Sequence, residues 1–302
     1  MAPKLKHLED QVLVILGASS GIGLATAEAA ARKGARLVLA ARSEHAMNDI
    51  VERIKAAGGE AIFVPCDVSD RSQVENVARA ALERFGRFDT WINNAGLSIY
   101  GRLDEVKEED SRRLFDINFW GLVHGSMAAL PQLKAHGGAL LNVGSEVSEA
   151  VVPLQGMYSA SKHAVKGFTD TLRIEICKVD KAPVSITLIQ PTAVDTPFPQ
   201  HARNYMANEP KLPSPQIKPE DVAEAILDAA VRPKRSKKVG AMAKLNTAAT
   251  KVVPALAETV AASYVKRQQY DEPPRHPEGT LYAPSESTGV VGQTHGTGGR
   301  TS

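Results

Sequence analysis

The 302-residue chain sets 36 Lys+Arg against 34 Asp+Glu, a formal charge of +2, with 43% hydrophobic and 23% charged residues. That balance excludes a protein built to neutralise nucleic-acid phosphates, and the hydrophobic fraction is enough to bury a sizeable core without staples. The two cysteines, Cys66 and Cys177, fall in different expected elements with no Cys/His cluster nearby, so neither a disulfide framework nor a metal site is expected. A reduced, cytoplasmic setting fits that usage. The opening residues lack the apolar run of a secretory signal, and no run of about 18 apolar residues occurs, so no membrane span is expected.

From Gln11 to about Gln190, short apolar runs alternate with longer helical patterns, the signature of βαβ units around a parallel sheet. The expected strands are Val12–Leu16, Arg36–Ala40, Ala61–Val64, Phe88–Ile92, Gly138–Val143 and Val184–Ile189. Most are too continuously apolar to have a wet face, so they belong in the middle of a sheet. Helices are expected to begin near Gly21, Glu44, Asp70, Leu103 and Gly156, long enough to cross between parallel strands and cover both faces. The segment Pro191–Pro219 holds seven prolines with Phe198, Tyr205 and Met206 between them, and reads as a long loop following a strand's carboxyl end, suited to a substrate lid. A helix from about Pro219 to Ala230 and a short edge strand near Lys238–Ala241 close a domain of residues 1–245. In the extension 246–270, Val252, Leu256, Val260 and Tyr264 recur on one helical face, with Pro254 placed to start or kink the helix. Packing on the body is the expectation, with a dimer contact or a membrane-surface contact as the lesser alternatives. From residue 271 Pro, Gly, Ser and Thr dominate without apolar periodicity, which predicts a disordered or loosely attached tail over 271–302.

The first residues with chemistry in them are Gly17-Ala18-Ser19-Ser20-Gly21-Ile22-Gly23, which leave the first strand and open the first helix. Glycines let the backbone turn tightly and approach a pyrophosphate, while the helix N-terminus offers unpaired N–H donors and a positive dipole end. Asn93-Asn94-Ala95-Gly96 ends the fourth strand, Asn118-Phe119-Trp120-Gly121 lies in a helix, and Ser145 ends the fifth strand, 13 residues before Tyr158. Tyr158-Ser159-Ala160-Ser161-Lys162 follows, and none of the other five tyrosines has lysine four residues on.

This ordered set resembles the classical short-chain dehydrogenase/reductase family over roughly Gln11 to Ala241. The resemblance implies a Rossmann-type α/β fold, a doubly wound parallel sheet with helices on both faces. It also implies catalytic roles for Asn118, Ser145, Tyr158 and Lys162. Asn118 would hold a water linking the lysine to solvent, and Lys162 would also bind the nicotinamide ribose. Asn94, Ala95 and Gly96 match cofactor-binding positions, Asp67 and Val68 the adenine-contacting pair, and Thr196 a threonine that meets the carboxamide. The sequence departs from the pattern twice. Leu16 stands where the family has threonine before its first glycine, and Pro191-Thr192 replaces Pro-Gly after the sixth strand. The first removes a hydroxyl that ties neighbouring turns together, and the second alters the nicotinamide-side loop.

The pairing of Tyr158 and Lys162 also stands on physics. Residues four apart share one helix face, so phenol and ammonium can share a site. Bringing a tyrosine from a pKa near 10 towards 7 takes about 4 kcal/mol of preferential phenolate stabilisation, at roughly 1.4 kcal/mol per unit. Lysine together with an oxidised nicotinamide can supply it. The phenol then gives a proton to a carbonyl oxygen in reduction, or as phenolate takes one from an alcohol in oxidation, with Ser145 hydrogen-bonded to the same oxygen. At the end of the second strand stand Ala40, Ala41, Arg42 and Ser43, with no carboxylate for a ribose 2′-hydroxyl. Arg42 suits a 2′-phosphate, so NADP(H) is expected over NAD(H), with Glu44 read as a first-turn helix residue.

Leu97, Val152, Leu154, Met157 and Phe198 are expected to line an apolar pocket, with Glu146 and Gln155 as polar contacts, for a hydrophobic alcohol, ketone or aldehyde. The expected assembly is a homodimer or homotetramer. The alternative reading is a non-catalytic dinucleotide sensor or scaffold, which would have no need of the Asn118, Ser145, Tyr158 and Lys162 set.

Overall fold

The computed structural model describes residues 3–285 and 289–290 of the chain. In chain order it runs β1 (Val12–Leu16), α1 (Gly21–Arg32), β2 (Arg36–Ala41), α2 (Glu44–Ala56), β3 (Ala61–Pro65), α3 (Arg71–Phe85), β4 (Thr90–Asn93) and β5 (Ile99–Tyr100). Then come α4 (Glu108–Phe115), α5 (Gly121–His136), β6 (Gly138–Val143), α6 (Gly156–Ile174), β7 (Val184–Pro191), α7 (Phe198–His201) and β8 (Arg203–Asn204). The described elements end with α8 (Pro219–Val231), β9 (Ser236–Val239), α9 (Ala241–Val252) and α10 (Pro254–Ser263). Seven strands form one parallel sheet in the order β3-β2-β1-β4-β6-β7-β9.

The strands alternate their side chains between two layers, as the two-residue pleat requires. In β1, Leu13 and Ile15 join the layer made with α1, α2 and α8, while Val12, Val14 and Leu16 join the layer made with α3, α5 and α6. Every β1 residue is buried, so a sequence of Val, Leu and Ile without polar alternation is what this central position demands. Because strand order reverses between β1 and β4, their carboxyl ends part and leave a crevice above the β1–α1 turn.

Several boundaries differ from the sequence reading. The fourth strand starts at Thr90, and the helix expected near Leu103 starts at Glu108, after an extended Lys107. The edge strand is Ser236–Val239, because Gly240 adopts φ +92° and turns the chain into α9. The proline-rich segment is not wholly loop: it forms α7 and β8, and β8 pairs in parallel with β5. Asp110 on α4 anchors it, accepting from Tyr205 Oη at 2.6 Å and from Arg203 Nε at 3.1 Å.

The extension forms two helices rather than one, since Pro254 has no N–H to continue α9 and instead opens α10. The expected apolar face does not pack on the body: Val252, Leu256 and Val260 are 78%, 62% and 48% exposed. The expectation of a loose tail fails over 271–285. Leu281 is fully buried, Tyr282 Oη donates to Asp110 at 2.7 Å, and Thr280 N donates to His201 O at 2.8 Å. One buried leucine with backbone and side-chain bonds fixes a strand of chain whose average composition is that of a disordered one. Residues 286–288 and 291–302 of that expected tail lie outside the described residues.

Candidate active site

The crevice at the carboxyl ends of β1, β4, β6 and β7 opens into one cavity that holds most of the residues singled out above. Its floor is the β1–α1 turn. Gly17 has φ +80°, and a Cβ there would lie 2.6 Å from Ala95 Cα; a Cβ on Gly23 would lie 1.9 Å from Gly17 O. Neither position tolerates a side chain, because the turn is pressed against the β4 segment and onto itself. Ser19, Ser20, Gly21 and Ile22 line the cavity beside it. Ser20 precedes α1 without a side-chain cap bond, and Gly21 N donates to Gly289 O at 2.8 Å.

The hydroxyl lost at Leu16 is replaced by β4. Asn94 N donates to Leu16 O at 3.2 Å and Asn94 Nδ2 to Gly17 O at 2.8 Å, so the two turns remain tied. Asn93, its neighbour, turns the other way into a buried chain. It accepts from Trp91 Nε1 and donates to Ser126 Oγ and Asn142 Oδ1, and Asn142 donates to Thr169 Oγ1. Ala95 and Gly96 line the cavity with Asn94.

Tyr158 and Lys162 project from α6, and Ser145 caps the 3-10 turn Glu146–Ser148 that follows β6. The Ser145 hydroxyl stands near enough to the Tyr158 phenol to favour its ionised form. Desolvation pushes the Tyr158 phenol up to about 12, against the lowering effect of Ser145 and with a further raising effect from Glu146. Phe198 of α7 packs edge-on to the Tyr158 ring, with centroids 5.4 Å apart. Lys162 is buried, donates to Val143 O at 3.0 Å, and has its ammonium 5.8 Å from the Tyr158 ring centroid. Burial holds that ammonium down to about 8.

Asn118 sits in a π turn (Asp116–Trp120), a form of helix often found at functional sites. Its side chain is a clip: Oδ1 accepts from Leu97 N at 2.8 Å, and Nδ2 donates to Leu97 O and Ser161 Oγ. It thus fixes the Leu97 backbone against α6, and its amide is already engaged by protein groups. A Cβ at Gly96 would stand 3.4 Å from both Asn118 Oδ1 and Lys162 Nζ, so the two side chains converge beside this residue.

At the other end, Arg42 Nη2 donates to Thr280 O at 2.6 Å, while its Nη1 is buried with no partner among the described residues. Burial lowers the Arg42 pKa, Asp67 opposes that, and Arg113 adds to it. Glu44 begins α2 as an exposed first-turn residue. Asp67 is largely occupied: it accepts from Ser69 N, Ser69 Oγ and Arg113 Nη2. Burial raises its carboxyl, but these bonds outweigh that and leave it below the ordinary value. Val68 lines the cavity and packs against Gly121, where a Cβ would lie 2.6 Å from its Cγ2. Pro191 and Thr196 close the far wall, Thr196 resting against Gly21.

The substrate side differs in part from the expectation. Leu97, Val152 and Phe198 line the cavity, but Leu154 and Met157 do not, and Leu212 and Pro213 from the proline-rich segment do. Gln155 lines it too, yet its amide is engaged elsewhere: Oε1 accepts from Ser98 Oγ, and Nε2 donates to Gln268 Oε1. The lining residues missed by sequence reasoning come from distant chain, His201, Thr280, Pro284 and Ser285, while Arg113 acts behind the cavity by holding Asp67. No local signal marks them, since the fold alone brings them to the crevice. Among the described residues no group of three or more His, Cys, Asp or Glu is placed to hold a metal ion.

The family model described as short chain dehydrogenase matches residues 11–206. A Bacillus subtilis protein, the uncharacterized oxidoreductase YxnA, is 44% identical over 284 residues, covering 92% of this chain and 80% of that protein. The 11-beta-hydroxysteroid dehydrogenase A of Sesamum indicum is 34% identical, covering 74% of this chain and 67% of that protein. Among solved structures, an alcohol dehydrogenase from Thermococcus sibiricus complexed with 5-hydroxy-NADP is 33% identical with a TM-score of 0.66, over 76% of this chain and 94% of that one. A short chain dehydrogenase/reductase from Burkholderia phymatum in complex with NAD is 28% identical with a TM-score of 0.71, over 88% of this chain and 99% of that one.

Proposed function

The chain belongs to the short-chain dehydrogenase family, and from that premise we propose an NADP(H)-using oxidoreductase that interconverts a largely apolar secondary alcohol and the corresponding ketone, or an aldehyde and its alcohol. The observation that carries the reading is the convergence of Ser145, Tyr158 and Lys162 on one cavity whose floor is a glycine turn that admits no side chain.

The residues suit a dinucleotide. The close-packed glycines bring the β1–α1 backbone to the cavity without side chains in the way, and the buried Arg42 Nη1, without a partner among the described residues, asks for an anionic acceptor. Arg42, at the end of a β2 that carries no carboxylate of its own, and with the neighbouring Asp67 already engaged by Arg113 and Ser69, is the basis for NADP(H) rather than NAD(H). Lys162, Thr196, Pro191 and Asn94 to Gly96 would hold the nicotinamide half, and Ser19 to Gly23 the pyrophosphate. When bound, the cofactor supplies or accepts the hydride.

The chain's own residues handle the proton. In reduction Tyr158 donates its phenolic proton to the carbonyl oxygen, and the Ser145 hydroxyl donates a hydrogen bond to that oxygen as charge develops on it. The Lys162 ammonium stabilises the phenolate left behind. Oxidation runs these transfers in reverse, with the phenolate as base. Val152, Phe198, Leu212 and Pro213 exclude water from the apolar part of the substrate.

A homodimer or homotetramer belongs to the same reading, supported by the exposed Trp120, Met127, Ile174 and Val179 along α5, α6 and their π turns. So does a cytoplasmic setting, supported by two cysteines that are both free. No helix among the described residues is long and apolar enough to cross a membrane.

The test is NADPH oxidation over a panel of ketones and aldehydes, with Tyr158→Phe as the comparison. Turnover by the wild type and a fall of at least about a hundredfold in the variant is expected for loss of a positioned acid. Equal turnover by the variant would remove Tyr158 from the mechanism. Tighter binding of NADH than NADPH would overturn the role given to Arg42.

A further inference from the structure

Beside the reacting groups stands a carboxylate that the proton chemistry does not use. Glu146 directly follows Ser145, lines the same cavity and lies close enough to Tyr158 to raise its pKa. A negative charge at that place opposes the phenolate the reaction needs, so it works against catalysis unless it serves another purpose. The fold nevertheless holds it firmly. Oε1 accepts from Thr192 Oγ1 at 3.1 Å, and Oε2 accepts from Asn246 Nδ2 at 3.0 Å. Thr192 is the residue found where the family pattern has glycine, and its N also donates to Val239 O at 3.1 Å, fixing the hydroxyl at the end of β7. Asn246 belongs to α9, outside the part of the chain that matches the family. Of the two devices that position Glu146, one is a departure within the matched region and the other lies beyond it.

The turn carrying Glu146 is fixed further along. Glu149 accepts from Gln190 Nε2 at 2.9 Å and pairs with Lys238 and Lys251, again from β9 and α9. Glu146 and Ser145 thus move as one rigid piece. A carboxylate accepts about four hydrogen bonds, and two of these are taken, which leaves lone pairs for a ligand. The other side chains named on this side, Val152, Phe198, Leu212 and Pro213, are apolar, and the Gln155 amide is engaged elsewhere.

We propose that Glu146 is a substrate-recognition residue that accepts a hydrogen bond from a hydroxyl on the carbon next to the reacting one, so that the preferred substrate is an α-hydroxy ketone, or the matching vicinal diol, on an otherwise apolar body. The inference rests on the carbonyl-reductase reading above and names its substrate class. A hydroxyl fits better than an ammonium. Burial raises the Glu146 carboxyl, although the Asn246 and Thr192 bonds lower it, and a hydroxyl can pair with either protonation state while an ammonium pairs only with the ionised one. Ser145 and Tyr158 take the reacting oxygen, and Glu146, which lines the same cavity and acts electrostatically on the Tyr158 phenol, takes the neighbouring hydroxyl.

The experiment compares kcat/KM for matched pairs, 2-hydroxycyclohexanone with cyclohexanone and 2-hydroxyacetophenone with acetophenone, in the full-length wild type, Glu146→Leu and Thr192→Val. NADPH titration serves as the check of folding. The wild type should prefer the hydroxy ketone by at least about tenfold, the lower end of what a hydrogen bond to a charged group provides. Glu146→Leu should bring that preference to within about twofold of unity, and Thr192→Val should lower it part-way by freeing the carboxylate. A purely structural Glu146 would lower both members of a pair equally, and that result overturns the proposal. So does brisk turnover by the wild type without preference, which leaves the reductase reading intact. Absence of turnover on every pair counts against the reductase reading, and this proposal falls with it.

Discussion

Replacing Gly23 by Ala sets two effects of known sign against each other. Gly23 lies in the first turn of α1, where alanine is favoured over glycine by about 1 kcal/mol in a helix interior. Against this, the new Cβ would lie 1.9 Å from Gly17 O and 2.6 Å from Asn94 Nδ2. An unstrained carbon-to-oxygen contact is roughly 3.3 Å, so the Gly17 carbonyl must move by about 1.4 Å. That movement breaks the 2.8 Å bond it accepts from Asn94, the tie that stands in for the missing hydroxyl at Leu16. Overpacking of this kind costs about 1–3 kcal/mol, which exceeds the propensity gain. A displacement of about 1 Å in a positioning element also lowers function by roughly a hundredfold. Thermal unfolding should show a lower Tm, fluorescence titration with NADPH should show a raised Kd, and turnover should fall by roughly a hundredfold. A variant with wild-type affinity would refute the close approach of backbone to cofactor, and a raised Tm would show that propensity had outweighed the clash.

The acid–base pair makes a prediction with a definite sign. Alcohol oxidation needs the Tyr158 phenolate, so its kcat/KM should rise with pH, while carbonyl reduction needs the phenol and should fall. Lys162→Met removes the cation that favours the phenolate and should move both limbs to higher pH by roughly one to three units; unmoved profiles under saturating cofactor would remove Lys162 from the electrostatic role. At the far end of the cavity, ending the chain before Thr280 removes the carbonyl that holds Arg42 Nη2, the bond from Thr280 N to His201 O, and the fully buried Leu281. Loss of about 2–4 kcal/mol of stability is expected from the leucine alone, with weaker NADPH binding measured by titration. A truncated chain with unchanged Tm and Kd would show that residues 280–285 are passive.

The sequence made the sheet, the glycine turn and the Ser145, Tyr158 and Lys162 set legible because each rests on a local rule. Five consecutive apolar residues in β1 can only be central strand, and a four-residue spacing on α6 can only share a face. Asn118 was legible in place but not in detail, since nothing in its neighbours tells that both ends of its amide grip Leu97. Leu154 and Met157 were misplaced for a comparable reason. They precede and enter α6, whose rotation is set by tertiary packing, and Met157 turns into the core instead of the cavity. The C-terminal residues were the least legible. Composition is an average, and a segment of Pro, Gly, Ser and Thr conceals the few residues, Leu281 and Tyr282 above all, that dock it.

That last group changes how the chain divides. The family match ends at residue 206, yet the crevice is completed by residues well beyond it. Asn246 and Lys251 of α9 hold the turn next to Ser145, while Thr280 holds Arg42 at the opposite end. The extension therefore touches the substrate side and the cofactor side through separate contacts, and a disturbance of either contact need not disturb the other. Exposed α10 lies between these two regions of chain, with Leu256 and Val260 uncovered, as is Val252 at the end of α9. Its apolar surface is not needed to fix either end of the cavity, so whatever selects for those residues acts outside the proton chemistry. The Ser145, Tyr158 and Lys162 cluster is the portion of this protein that local sequence rules describe, and the contacts that hold Glu146 and Arg42 come in part from the portion they do not.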